Sequence, residues 1–585
     1  MTIGSKRHIV TVLLHDYYHR CVFNKVIGRR QWHRLASRID QNVDKVRALL
    51  AAHNAKATFF TLGWLAEQRP ELIRRLVADG HEIASAGYVP QEVRRLSPQE
   101  FRDDLERANQ ALLAAGAQQI LGYRCPLGWL SPAELWVLDV LIDAGFRYDA
   151  SMRPPLWSLR EEHAQRRVHL YRNEKGSLWE LPPPTVRMLG FNIPIAGGNY
   201  LRQLPQWFTL RGFQRWTLEG NYPFVLYFHP WELDGELPRI RNMGLLARIR
   251  QYRNLGRMAG QVETYLQNAE FLSVSQYLGI EVTKPAPATD DPSQAAASAR
   301  PVAIRKRRSM PKVTIVIPCY NEKSSLSYLA HALSDLERAA QDRYRFQYLF
   351  VDDASTDGTE DEVARMFAGR ERCRILRHER NQGVAAAIQT GIKEATTEVV
   401  CSIDADCTYD PVELLAMIPL LTDEVAVVVA SPYHRQGSVI NVPKWRLLLS
   451  KHLSKGYHLV FHNKLATYSS CCRVYRRSAV VPYSVEHGNF IGIVELLAKV
   501  DHAGGKIVEF PAVLHSRLLG YSKMKVLRTI WGHLRLLMRL TWQRLHTRLR
   551  WRMKAQQASV PKPPVPEVAD VVRFCTVAGK TGLEL

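Results

Sequence analysis

Three stretches of this 585-residue chain share one shape: VTIVIPCYNE at Val313–Glu322, YLFVDDASTDGT at Tyr348–Thr359, and the run ending in SIDADC at Ser402–Cys407. Each is a short apolar, β-branched run that stops abruptly in polar residues. A parallel strand buried on both faces looks like this where it delivers its carboxyl end to a ligand crevice. Asp404 and Asp406, one residue apart at such an end, suit a divalent cation that also draws on phosphate oxygens. The second half of the chain is therefore expected to handle a nucleotide-linked sugar.

The chain is too long for one core. Thr283–Met310 (TKPAPATDDPSQAAASARPVAIRKRRSM) lacks periodicity and is rich in Pro, Ala and Ser, as is the stretch around KPPVP at Lys562–Pro566. These read as a linker over 283–310 and a weakly ordered tail over 555–585. Folded regions are expected at 8–282 and 311–530, followed by a basic helix at 531–554. The net charge of +23 calls for an anionic partner: a phosphorylated substrate, an acidic membrane surface or a nucleic acid. The nine cysteines form no CxxC pair, which reads as reduced, buried thiols in a cytoplasmic protein. No signal peptide and no stretch of roughly 20 apolar residues stands out, so any membrane association is expected to be peripheral.

Residues 8–282 alternate strand-like segments (HIVTVLL, KATFFTLG, HEIASAG) with amphipathic helical ones, the helix after Ser97 opening on an acidic turn. Alternation of this kind argues for a parallel sheet or barrel. The order of KATFFTLGWLAEQRPELIRRLVADGHEIASAG, LSPQEFRDDLERA, LGYRCP, FRYDASMRP, ELPPP and FVLYFHPWELD resembles the polysaccharide deacetylases, in particular those associated with exopolysaccharide genes. The resemblance implies a distorted (β/α) barrel of about seven strands. It also implies a catalytic-base Asp where this chain has Leu13, a metal-binding carboxylate at Asp16, and a metal-binding His-Gly-Tyr-x-His where this chain has Ala86-Gly87-Tyr88-Val89-Pro90. A carboxylate alone holds zinc poorly, because catalytic zinc needs about three protein ligands. Arg124 and His229, which would orient the base and serve as general acid, are retained. The spacing of His15, His19, His33 and His81 suggests no replacement site. Zinc is not expected, and the region reads as a pseudo-deacetylase that binds or docks.

Residues 313–530 resemble the inverting family 2 glycosyltransferases of GT-A (Rossmann-like) fold, in the branch of the dolichyl-phosphate mannose synthases and bacterial polyprenyl-phosphate sugar synthases. That resemblance implies a donor site from Pro318, Tyr320, Glu322, Asp352, Asp353, Asn381 and Gly383, with the small residues after Asn381 admitting the donor to a helix start. Asp404 and Asp406 would hold Mg²⁺ or Mn²⁺ against the diphosphate, although Thr408 stands where the mannose synthases carry a Gln. Arg446, Ser450, Arg517 and Lys523 would hold an acceptor phosphate, with Arg446 and Lys523 joining the two aspartates in catalysis. Ser431-Pro432-Tyr433 lacks the Arg that the mannose synthases carry there, and Arg435 and Arg473 are the candidates to replace it. Glu495 is structural or donor-orienting.

Lys523–Lys554 interleaves Leu, Ile, Met and Trp with Arg and Lys and contains no acidic residue. This suits an interfacial helix on an anionic leaflet, with packing on the domain or nucleic-acid binding as the other readings. The sequence as a whole points to transfer of a sugar from a nucleotide sugar to a polyprenyl phosphate or glycolipid. The place would be the inner face of the cytoplasmic membrane, with no nucleic acid involved. The rival readings are a bifunctional enzyme with an active deacetylase and a non-catalytic scaffold in exopolysaccharide assembly.

Overall fold

A parallel sheet covered on both faces needs strands that are apolar throughout, and the computed structural model has such strands at the centre of each half of the chain. The structure describes residues 6–23, 27–155, 166–220, 222–240, 243–281, 310–341, 343–369, 372–520 and 526–558. The expected linker, Met310 apart, and the chain beyond Ala558 lie outside the described residues. The chain forms two compact units, the first from Met1–Ser309 with Ser324–Ser334 and Ser516–Gly520, the second from the remainder.

The strands of the first unit are β1 Arg7–Leu14, β2 Thr58–Thr61, β3 Glu82–Ser85, β4 Gly122–Tyr123, β5 Tyr148–Asp149, β6 His169–Asn173, β7 Gly176–Glu180, β8 Thr185–Met188, β9 Phe191–Pro194, β10 Val225–Phe228 and β11 Glu270–Leu272. They pair in the order β10-β1-β2-β3-β4-β5-β7-β6, with β11 also on β1. Every pairing is parallel except β6 with β7. This is the expected distorted (β/α) barrel. It forms because β1 from His8 onward, β2 and β10 are buried along their whole length. Phe59 and Phe60 of β2 are fully buried, each contributing roughly 2–3 kcal/mol of apolar burial. The helix Pro98–Ala114 starts as its sequence requires: Ser97 Oγ accepts from Glu100 N at 3.3 Å while Glu100 reaches back to Ser97 N at 2.8 Å. Because the strands are parallel, the residues that follow β1, β3, β4, β5, β7 and β10 all emerge at one rim. The hairpin β8–β9 stands apart, turning on Leu189 and Gly190 at φ 51° and 82°, the left-handed pair that a two-residue turn requires.

The second unit contains β12 Lys312–Cys319, β13 Arg345–Asp352, β14 Cys373–Arg377, β15 Val399–Ser402, β16 Val425–Ser431, β17 Ser438–Ile440, β18 Arg473–Arg476, β19 Lys506–Pro511 and β20 Val513–His515. The main sheet runs β14-β13-β12-β15-β18-β16-β19, and only β18 is antiparallel to its neighbours. The strand order proceeds outward in both directions from β12, so the carboxyl ends of β12 and β15 flank a topological switch point, where open α/β sheets bind ligands. Among the described residues seven cysteines are free, six of them buried.

The C-terminal helix Val526–Ala558 extends past both expected ends and is about 50 Å long at 1.5 Å per residue. It docks through His533, Leu536 and Leu540, which are buried, and Gly532 lets it approach Ile491 of the helix Phe490–His502. No helix among the described residues is long and apolar enough to cross a membrane.

Candidate functional site

At the switch point of the second unit the loops after β12 and β13 are laced together. Asn321 N donates to Ser355 Oγ at 2.8 Å, Thr356 N to Asn321 Oδ1 at 2.6 Å, and Glu322 N to Thr359 Oγ1 at 2.8 Å. Three non-glycine residues just past the ends of β12, β13 and β15 hold left-handed backbone: Asn321 (φ 52°), Ala354 (φ 61°) and Cys407 (φ 52°). Each such residue costs roughly 1–3 kcal/mol and persists only where its surroundings enforce it. Pro318 and Tyr320 sit half-buried beside these loops, and Glu322 is buried.

The two adjacent aspartates divide their tasks. Asp353 Oδ1 accepts from Gln382 N at 2.8 Å and sits 2.8 Å from His378 Nδ1, while its Oδ2 accepts from Gly383 N at 2.7 Å. The carboxylate expected to take part in donor binding is thus engaged within the unit. Asp352 accepts Ser355 N at 3.2 Å through Oδ2, and its buried Oδ1 has no hydrogen-bond partner among the described residues.

The small residues after Asn381 pack closely within the unit. The close approach they allow is to the backbone of Gly488, whose carbonyl accepts Ala385 N at 2.6 Å and Ala386 N at 3.0 Å. A Cβ on Gly383, at φ 99°, would stand 2.6 Å from that same carbonyl oxygen. The 486–488 turn is in turn held by Glu495. Its buried carboxylate accepts Glu486 N at 3.0 Å and His487 N at 3.1 Å and pairs with Lys499 at 2.8 Å. Of the two roles open to Glu495, the structural one matches this geometry.

Asp404 and Asp406 follow β15, and both are half-buried. Asp406 Oδ1 accepts Thr408 N at 3.0 Å, and Thr408 O accepts His515 N at 2.9 Å, which ties β20 to this loop. Glu413, which the sequence did not single out, lies close by. Its Oε1 accepts Val513 N at 3.0 Å, and burial together with Asp410 pushes its carboxyl up to about 7. A carboxyl titrating near neutrality is a functional candidate, but no spacing in the sequence announces it.

The residues expected at the acceptor phosphate are placed unevenly. Arg446 and Ser450 lie one turn apart on the helix Lys444–Tyr457, with Arg446 exposed and 5.2 Å from the Trp445 ring. Trp445, Leu448 and Leu449 are exposed beside them. Arg517 is half-buried, Arg435 is exposed, and Lys523 lies outside the described residues. Arg473 cannot stand in for the missing arginine: it is fully buried, and its guanidinium donates to Ile493 O at 2.9 Å and Tyr468 O at 2.6 Å.

At the rim of the first unit, His15 follows β1, Arg124 follows β4 and His229 follows β10. His15 and His229 meet edge to face with ring centres 4.8 Å apart. His229 Nδ1 lies 3.1 Å from Glu232 Oε2, and Glu232 pairs with the buried Arg202 at 2.9 Å. Asp16, the retained member of the family's metal set, turns away from this arrangement. Its Oδ1 accepts Tyr17 N at 2.9 Å, and its Oδ2 accepts Ser37 Oγ at 2.7 Å and Arg38 N at 3.0 Å. Burial nevertheless pushes the Asp16 carboxyl up to about 6. In the segment Ala86–Pro90, Tyr88 N donates to Asp104 at 2.9 Å and Tyr88 Oη donates to Glu67 at 2.7 Å.

The fold is that of an α/β chain in two units, a distorted barrel and a mostly parallel open sheet with a crevice at its switch point, and comparison with known proteins specifies both. Residues 314–482 match the family model for glycosyl transferase family 2, residues 36–148 that for polysaccharide deacetylase, and residues 158–279 a domain of unknown function (DUF3473). The chain carries a family 2 glycosyltransferase domain preceded by a polysaccharide deacetylase-like domain. A dolichol-phosphate mannosyltransferase of Pyrococcus furiosus is 29% identical over 235 residues, 39% of this chain and 63% of that protein. A polyprenol monophosphomannose synthase of Mycolicibacterium smegmatis is 26% identical over 226 residues, 37% of this chain and 82% of that protein. A chitooligosaccharide deacetylase of a Bradyrhizobium species is 36% identical over 93 residues, 16% of this chain and 40% of that protein. The chain thus spans less than two thirds of the first and of the last of these relatives.

Proposed function

We propose that the second unit is an inverting glycosyltransferase that moves a sugar from a nucleotide-sugar donor to a polyprenyl phosphate or glycolipid at a membrane surface. The first unit then serves as a deacetylase-like module without a catalytic metal. The observation that carries the transferase reading is Asp352 Oδ1, a buried acceptor without a partner among the described residues, at the same switch point as Asp404 and Asp406. Leaving such a group unpaired costs about 1–3 kcal/mol, which the imide N–H of uracil, or the N1–H and amino group of guanine, would recover. Asp353 acts as a positioning residue for the loop beside it.

Asp404 and Asp406 fit a hard divalent cation. Two carboxylates are what Mg²⁺ or Mn²⁺ takes from a protein when substrate phosphates supply further oxygens, and no group of three or more metal-ligating side chains occurs among the described residues. The cation would stabilise the departing nucleoside diphosphate. An acceptor phosphate oxygen attacks the anomeric carbon from the face opposite the leaving group, the bond to the diphosphate oxygen breaks, and the configuration inverts. Already ionised, that nucleophile needs alignment more than a base, which Arg446 with Ser450 would give. Two relatives named for dolichol phosphate and for polyprenol monophosphomannose support a lipid-phosphate acceptor. The basic C-terminal helix supports work at an anionic leaflet, on the cytoplasmic face.

The test is release of nucleoside diphosphate from a panel of UDP- and GDP-sugars, with Mn²⁺ or Mg²⁺, with and without a short polyprenyl phosphate. Release that needs the lipid phosphate and falls at least a hundredfold in Asp406→Asn is the expected result. Release indifferent to both would overturn the reading.

A further inference from the structure

We infer that the rim of the first unit binds a carboxylate-bearing saccharide, with Arg124 as its anchor. Arg124 is 5% exposed, and its guanidinium packs beside two aromatic rings, 4.9 Å from Trp129 and 4.4 Å from Tyr227. It makes no side-chain hydrogen bond and no ion pair among the described residues, although it carries five N–H donors. A buried charge is retained only where something pairs with it.

The groups around it have unmet capacity of the same kind. His15 is 1% exposed and neither ring nitrogen has a partner; Trp231 is fully buried and its indole N–H has none either. Both rings contact His229, at 4.8 and 5.5 Å. Burial holds His15 and His229 below the usual imidazole range, and the ionised Glu232 beside them is already paired with Arg202, so none of these groups neutralises Arg124. Carboxyls nearby do not close the account. Asp149 takes Ser151 Oγ at 2.6 Å and Ser151 N at 2.8 Å, and Glu180 takes Met152 N at 2.8 Å. Burial and Asp149 push the Glu180 carboxyl well up, towards its neutral form.

In the deacetylases that this unit resembles, the corresponding arginine orients an aspartate, and Leu13 stands in that aspartate's place here. Leu13 is part of the apolar core, so that carboxylate is missing here; Asp149 and Glu180 act on Arg124 from a distance without pairing with it, and a ligand can take the vacant place. A planar monoanion matches the guanidinium fork charge for charge. The match of residues 36–148 to polysaccharide deacetylases makes a saccharide its natural carrier. The inference rests on the reading that this unit holds no catalytic metal, and is independent of the transferase.

The experiment is calorimetric titration of the full chain with a glucuronate-containing oligosaccharide, its neutral glucose counterpart and inorganic phosphate, after metal analysis of the same preparation. The acidic oligosaccharide should bind at least tenfold more tightly than either alternative, and at least tenfold more weakly to Arg124→Gln. Removing an unpaired buried charge should leave Tm unchanged or raised. Leu13→Asp, which supplies the carboxylate internally, should also block binding. Equal affinity for acidic and neutral sugars, equal affinity for phosphate, undiminished binding to Arg124→Gln, or a fall in that variant's Tm would overturn the anion site. Stoichiometric zinc would instead overturn the metal-free reading beneath it.

Discussion

Asp353 Oδ2 lies 2.7 Å from Gly383 N, and with that bond it fixes where the helix Val384–Glu394 begins. From the other side Gly488 closes the same helix start, and Glu495 holds the turn that carries Gly488. This part of the crevice is thus supported by two buried carboxylates, Asp353 and Glu495, each held by backbone amides.

Asp353→Ala removes an acceptor shared by two backbone amides and His378. Hydrogen bonds to a charged group contribute about 1.5–3 kcal/mol, so a loss of roughly 3 kcal/mol in urea unfolding is expected. Asp352→Asn should shift stability by less than about 1 kcal/mol while weakening nucleotide binding about tenfold or more, by calorimetry. The reverse assignment of effects would move base recognition to Asp353.

Gly488 can carry no side chain where it stands, since a Cβ would lie 1.8 Å from Gln382 O. Gly488→Ala must shift backbone rather than a flexible side chain. A destabilisation of about 1–3 kcal/mol follows from overpacking, with KM for the nucleotide sugar raised more than KM for the lipid. A variant with wild-type Tm and KM would show that the two loops are not coupled.

Docking of the C-terminal helix should depend on pH through His533. The ring is buried, 2.9 Å from the Tyr457 hydroxyl, and burial lowers its pKa from 6.5 to about 4. A histidine depressed on folding binds fewer protons in the folded state. Its contribution is therefore complete above about pH 6.5 and lost progressively as the pH falls towards 4, by about 1.4 kcal/mol per unit. Hydrogen-exchange protection factors along Val526–Leu545, taken relative to the intrinsic rates at each pH, should fall below pH 6 in the wild type and lose that dependence in His533→Phe.

On the face opposite its buried side, the same helix exposes Trp531, Leu534, Met538, Trp542 and Leu545. Their spacing of three and four residues places them in one stripe. The double variant Trp531→Ala, Trp542→Ala should cut sedimentation with phosphatidylglycerol vesicles at least tenfold, leaving Tm within a degree because both rings are mostly exposed. Unchanged partition would assign the stripe to another partner.

The two folds were legible because parallel strands buried on both faces announce themselves as unbroken apolar runs, and the site lies where those runs stop. Ser97 and its capping box were legible for a local reason, all the partners lying within one turn. The division of labour between Asp352 and Asp353 was not. Neighbours at a strand end point in opposite directions, and nothing in the letters says which one meets the Gln382 and Gly383 amides. Arg473 was a candidate, with Arg435, for the arginine missing at Ser431-Pro432-Tyr433, and nothing in the sequence marks it as buried. Its partners, Tyr468 O and Ile493 O, are backbone groups that no motif displays. Gly488, about a hundred residues beyond Asn381, left no spacing to follow, and Glu495 was legible only through the family resemblance, with its role left open.

Polar ties bind the C-terminal helix to its own unit at several points, one being Arg544, which donates to Leu459 O at 2.7 Å. His533 meets Tyr457 on the helix that carries Arg446, and Arg539 grips Glu486 with both terminal nitrogens at 2.6 Å. Glu486 begins the turn that seats Gly488 against the helix start beside Asp353. One rod therefore joins the helix that carries Arg446 to the turn that seats Gly488, as a shared axle joins two wheels. A displacement of that rod, by a bilayer surface or by protonation of His533, would reach both ends at once.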